Sequence, residues 1–149
     1  VMRYTNYQLT TLRGYGPNWA LAGDAFGFID PVFSSGLLVG LDGAAALADA
    51  IVDGSPRAWV RYEEHVITHL RAWQRVVDRW YDGRLFTLFR VGEIVRQTPV
   101  GKVMDWHLRR HLPRVFTGEA TRKVYSRNLL QWMSRHALAG NDPAALAIH

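Results

Sequence analysis

A chain of 149 residues with 48% hydrophobic content suits one globular domain, or part of a larger one, and can bury about two thirds of its unfolded surface. It has no cysteine, which excludes disulfides and thiolate chemistry and suits a reducing, cytoplasmic setting. The net charge of +5 is uneven: residues 1–83 carry seven Lys/Arg against nine Asp/Glu, and residues 84–149 carry eleven against four.

In chain order, MRYTNYQL (2–9) alternates loosely and is rich in Tyr and Thr, which predicts a half-buried strand. RGYGPN (13–18) is punctuated by Gly and Pro and predicts a turn. WALAG (19–23) is short, apolar and bounded by turn signals, as a buried strand is. No further strand is expected. Two strands make no independently stable sheet, so the missing partners are expected from elsewhere.

Everything after Ser35 reads as helix, so the fold class is mainly α with short N-terminal strands. Leu37 to Val52 is apolar nearly all round apart from Asp42 and Asp49, which predicts a buried helix. Gly54 stops it, with Ser55 as N-cap and Pro56 at the first position of the next helix. From Pro56 to about Tyr81, Trp59, Tyr62, Val66, Leu70, Trp73, Val77 and Trp80 recur every three or four residues; Asp82-Gly83 ends the run. A shorter helix is expected over Leu85 to Arg96, with Phe86, Phe89 and Val91 among its apolar positions. Another follows Thr98-Pro99 to about Leu112. A last one runs from after Thr117 to about Leu138, with Val124, Leu130, Met133 and Ala137 inward and Gly140 as its stop.

The stretch that carries chemistry is GDAFGFIDPVFSSG, Gly23 to Gly36, followed by the small-residue helix. It resembles the second FAD-binding motif of flavin-dependent halogenases and related aromatic-hydroxylase-type monooxygenases. The Trp-, Tyr- and Arg-rich YEEHVITHLRAWQRVVDRWYDG is similar to their C-terminal helical region. The resemblance implies that residues 1–54 are the C-terminal piece of an incomplete FAD-binding, Rossmann-like α/β domain, and that 55–149 are a helical C-terminal region. It further implies an oxidoreductase that uses reduced FAD and molecular oxygen to halogenate or hydroxylate a small organic substrate. Chloride or bromide and a separate flavin reductase are the implied partners.

The site residues that the resemblance implies are Gly23, Asp24, Asp30, Pro31, Ser34, Ser35 and Gly36. Asp24 would accept from the ribityl hydroxyls, and Pro31 would shape the passage past the ring. Ser35 and Gly36 amides would face the flavin or, in a halogenase, the halide. A helix N-terminus suits that role, because its first N–H groups lack internal partners and carry partial positive charge. Taken singly, Asp30 reads as a loop cap and Ser34-Ser35 as ordinary N-caps.

Such enzymes also carry a Gly-rich dinucleotide turn, a Trp-x-Trp-x-x-Pro stretch and an active-site Lys. None of these is in this sequence, where Lys102 and Lys123 follow the flavin motif. The resemblance therefore implies part of a longer enzyme, inactive by itself, with its catalytic residues upstream of Val1.

Rival constellations are weaker. His65/His69 and His107/His111 are each four apart, a spacing that suits a metal. Neither pair is H-E-x-x-H, and Arg109 and Arg110 crowd the second, so packing or surface histidines are expected and no metal. The six Trp read as core. Arg109, Arg110, Arg114, Arg122, Lys123 and Arg127 form the core of the basic half. They make a non-enzymatic helical module for an acidic protein or nucleic acid the alternative reading. No nucleic-acid motif accompanies them, so no such partner is expected, and neither a membrane span nor a signal peptide is seen.

Overall fold

A computed structural model of the chain describes residues 8–95, 97–111, 114, 123–136 and 142. It is mainly helical, with a few short antiparallel strands near the N-terminus. Strand β1 (Leu9–Thr10) pairs antiparallel with β4 (Gly27–Phe28), and β2 (Tyr15–Gly16) with β3 (Trp19–Ala20). Helices α1 (Gly36–Asp53), α2 (Pro56–Tyr81), α3 (Arg84–Val95), α4 (Pro99–His111) and α5 (Val124–His136) follow. Contacts divide the chain into two compact units, residues 1–74 and 75–149, so α2 supplies residues to both.

The ends of α1 and α2 lie where local chemistry puts them. Gly54 takes φ +67, the left-handed conformation that glycine adopts without a Cβ penalty, and its N–H donates to the Ala50 carbonyl. Ser55 Oγ then accepts from the Ala58 N–H at 3.2 Å, the N-cap that the Ser-Pro pair predicts. The periodic face of α2 is the core as expected, with Tyr62, Val66, Leu70, Trp73 and Val77 all buried. Each such side chain contributes about 1.5–3 kcal/mol relative to exposure.

In the first unit α1 packs along α2, where a Cβ on Gly43 would meet Val66 at 3.5 Å. Phe26 is fully buried and meets Tyr62 edge-on, with centroids 5.8 Å apart. In the second unit, Thr87 and Ser126 are buried with Leu85, and Thr87 Oγ1 donates to the Gly83 carbonyl at 3.0 Å. Thr98 Oγ1 accepts from the Gly101 N–H at 3.0 Å and caps α4.

Several expectations need correction. WALAG is not a buried strand. Trp19–Ala20 folds back on Tyr15–Gly16 across Pro17-Asn18, and Trp19 is half exposed, because the nearest backbone partner is its own preceding arm. Gly27–Phe28 is a strand that two residues of alternation could not announce. Only Leu9 and its neighbour Thr10 are extended at the end of the first expected strand; residues 1–7 lie outside the described residues.

Helix α1 is not buried all round. Val39, Gly43 and Ala50 are buried, whereas Leu37, Leu41, Ile51 and Val52 are 59–88% exposed, because only one face of the helix meets α2 and the loop before it. Nor are all the tryptophans core: Trp73 is fully buried, but Trp106 and Trp132, like Trp19, are about half exposed. Val124, expected inward, is exposed while Ser126 on the same helix is buried, and on α3 Leu85 and Thr87 are buried whereas Phe89 is exposed. The side chains of Val91, Leu130, Met133 and Ala137, and Gly140, lie outside the described residues.

Candidate functional site

The Gly23–Gly36 loop is two tight turns joined by β4. Ala22 is extended, Gly23 turns at φ +57, and Gly23–Ala25 forms a 3-10 turn closed by the Phe26 N–H donating to the Gly23 carbonyl at 3.0 Å. Asp24 stands exposed in that turn. The turn rests on α1 at Gly40, whose added Cβ would lie 3.8 Å from Gly23 Cα. Gly40 is one helical turn past Gly36, so the Gly23-Asp24 turn sits beside the first turn of α1.

Asp30 opens the second 3-10 turn, Pro31–Phe33, and its Oδ1 accepts from the Val32 N–H at 3.0 Å. It is thus a loop cap. Pro31 occupies the first position of that turn and is exposed. Phe33 reaches under the loop to Trp73, with ring centroids 6.3 Å apart. Ser34 adopts φ 52, the only non-glycine with positive φ among the described residues, and its N–H donates to the Pro31 carbonyl at 2.7 Å.

Ser35 departs from the N-cap expectation. Its backbone is already helical (φ −79, ψ −14), whereas side-chain capping uses an extended backbone that brings Oγ over the helix end. Its side chain makes no cap bond, and only its carbonyl enters the helix, accepting from the Val39 N–H at 3.0 Å. Ser35 is 3% exposed, and its Oγ has no hydrogen-bond partner among the described residues. A buried hydroxyl left so costs about 1–3 kcal/mol unless something outside the protein's own atoms satisfies it.

Beside this orphaned hydroxyl, the first turn of α1 presents donors that no side chain caps. A Cβ at Gly36 or Gly23 would meet nothing within 4 Å. Open space over two glycines, an uncapped helix N-terminus and an exposed carboxylate are features that can receive a ligand with hydroxyls and an anionic edge. Comparisons with family models, curated proteins and solved structures gave no match.

A second cluster joins the two helices of the same unit. Asp42 on α1 places Oδ2 2.5 Å from His65 Nε2 and 2.8 Å from His69 Nδ1, both on α2. The i,i+4 spacing of the histidines was legible in sequence; their carboxylate partner, 23 residues before His65, was not. The side chains of His107 and His111, the other pair, lie outside the described residues. In the basic half, the Arg110 guanidinium lies over the Trp106 ring, 5.7 Å from its centroid, a cation–π contact. The side chains of Arg109, Arg122 and Arg127 are outside the described residues.

Among its described residues, the first unit carries two hollows of note. One, of about 620 Å3, is lined by Arg13, Tyr15, Trp19 and Trp59, with Tyr15 stacked on Trp59 at 5.7 Å. The other, of about 290 Å3, lies between α1 and α2 and is lined by Asp49, Asp53, Arg61, Tyr62 and His65. Asp53 is engaged there by Arg61 at 2.8 Å. Hydrogen bonds from Ser55, and then Arg61, hold its carboxyl below the usual carboxylate range.

Proposed function

We propose that this chain is the C-terminal part of an FAD-dependent oxidoreductase, halogenase-like or monooxygenase-like, acting on a small organic substrate with reduced FAD and oxygen. The observation that carries the reading is the meeting of the Gly23-Asp24 turn with the uncapped start of α1, where Ser35 Oγ is buried without a partner.

Each residue then has a physical role. Asp24, exposed and acceptor-only when ionised, receives ribityl hydroxyls. The N–H groups of Gly36 and the residues after it donate to the flavin pyrimidine edge or to a halide, helped by the helix dipole. Ser35 Oγ, buried at the same end, becomes a further donor on turning about χ1 toward the ligand. Gly23 and Gly36 leave the space that a side chain would fill. Asp30 and Pro31 act on the loop: the Asp30 cap and the fixed φ of Pro31 hold the 3-10 turn that leads into Ser34. Bound flavin supplies the redox chemistry that activates oxygen.

Two experiments test this. Reading the coding sequence upstream of Val1 is expected to show an in-frame Gly-rich dinucleotide turn. A start codon at Val1 with no such turn counts against the reading. In the longer enzyme, Asp24→Ala is expected to lower the FAD retained through gel filtration severalfold or more, and unchanged flavin content would overturn the assignment of Asp24.

A further inference from the structure

We propose that Asp42, His65 and His69 bind a divalent transition ion of the zinc class that clasps α1 to α2. The inference stands on its own geometry and does not rest on the flavin reading.

His65 and His69 are four apart on α2, which puts both rings on one helix face, 5.6 Å apart between centroids. Asp42 meets them from α1, and the three candidate ligand atoms lie within 4.8 Å of one another. Zinc bound at its usual distances of about 2.0–2.2 Å in a tetrahedron needs ligand atoms roughly 3.3 Å apart. The Asp42 Oδ2 separations of 2.5 and 2.8 Å are shorter than that value, so side-chain rotations that part the atoms by about half an ångström admit an ion between them. One carboxylate and two imidazoles form a borderline donor set that favours zinc, cobalt or nickel over magnesium or calcium.

Burial divides the site into a closed back and an open front. The His69 and Asp42 side chains are 6% and 11% exposed, and that of His65 is 43% exposed. His65 also lines the hollow between the helices, beside Asp49 and Asp53. An ion thus has an entry path through a mouth lined by Asp49 and by the Asp53–Arg61 ion pair, and a water from that side completes its coordination. With three protein ligands and one water the site resembles an open zinc centre. Its effect here is to cross-link α1 to α2 two residues beyond Gly40, where the Gly23-Asp24 turn rests.

The test is a titration of the 149-residue chain with Co2+ and then Zn2+. It follows the visible bands of bound cobalt, the heat of zinc binding and the thermal midpoint, with far-UV ellipticity recorded for every variant. One zinc per chain is expected, displacing cobalt and raising the midpoint. Asp42→Asn, close in shape, and His65→Ala, at the exposed position, should each weaken binding on the order of 100-fold, since even outer-shell changes cost 10–100-fold. Either variant that keeps its ellipticity is sufficient. Losing the His107/His111 pair should leave the affinity unchanged. The proposal is overturned if the chain shows no saturable zinc uptake, if both variants bind as tightly as the parent, or if binding is lost only with His107 and His111.

Discussion

Gly40 on α1 and Gly23 in the Asp24 turn face each other so closely that a Cβ on the first would stand 3.8 Å from the Cα of the second. That is ordinary contact, so a methyl fits, and a longer side chain directed at the turn would displace it. Gly40→Ala should stabilise the chain by about 0.5–1 kcal/mol, because glycine within a helix carries an entropic cost of that size. Gly40→Leu should instead lower stability by about 1–3 kcal/mol as the turn is forced off the helix. Urea unfolding of the two variants beside the parent separates the effects, and equal midpoints for both would show that the turn does not rest on α1.

Gly14 is a tighter case. A Cβ there would lie 2.2 Å from Phe26 Cε2, and Phe26 is fully buried against Tyr62, so its ring has nowhere to go. The Gly14 N–H also donates to Glu63 Oε1 at 2.6 Å, tying the loop to α2. Gly14→Ala should destabilise by about 1–3 kcal/mol, the usual cost of overpacking. Denaturant midpoints check it, and a neutral Gly14→Ala would mean that the Phe26 ring moves freely.

Tyr62 joins the same loop to α2 through its hydroxyl, which donates to the Leu21 carbonyl, and burial pushes its phenol pKa up. Above the ordinary tyrosine value of about 10, the unfolded chain releases this proton while the folded chain keeps it. Stability from Tyr62 is therefore complete below that pH and falls as pH rises through the higher folded value. Tyr62→Phe should flatten the alkaline loss while costing about 1 kcal/mol at neutral pH for the lost hydrogen bond. Unfolding free energies measured on either side of the phenol titration give the comparison.

In the second unit, Arg79 is partly buried, and Arg75, Arg84 and Arg135 lie near enough to repel it, with Asp82 in opposition; desolvation and then these cations hold its pKa below the usual arginine value. It remains a cation at any ordinary pH, so the consequence is electrostatic. Arg79→Met keeps the stem and removes the charge, and should raise the thermal midpoint at low salt by an amount equivalent to a few tenths of a kcal/mol. Screening within about 10 Å at 0.1 M salt should shrink the gain. A gain that does not change with salt would point to packing instead.

Helix α2 was legible to the residue, because Ser55-Pro56 and Asp82-Gly83 bracket a run whose apolar spacing leaves one choice of face. The strands were not. Two-residue ladders are chosen by tertiary backbone partners, and Trp19–Ala20 found its own preceding arm. Uniform apolarity in α1 gave no preferred face, so it could not show that Val39, Gly43 and Ala50 would turn inward. In the candidate site, Gly23, Asp24 and Gly36 were read from the motif, but the uncapped Ser35 Oγ depends on a backbone conformation that no local pattern encodes. The pairing of Asp42 with His65 and His69 is equally non-local.

Ser34 holds a left-handed backbone that glycine would hold freely. An L-residue there bears roughly 1–2 kcal/mol of strain. That amount corresponds to about a tenfold bias in population. The loop ahead of α1 therefore keeps its course against the local preference of Ser34, held there by the Ser34 N–H bond to the Pro31 carbonyl and by Phe33 against Trp73. Where Ser35 and Gly36 begin the helix is thus set by those two contacts and not by the backbone preference of the residue before them.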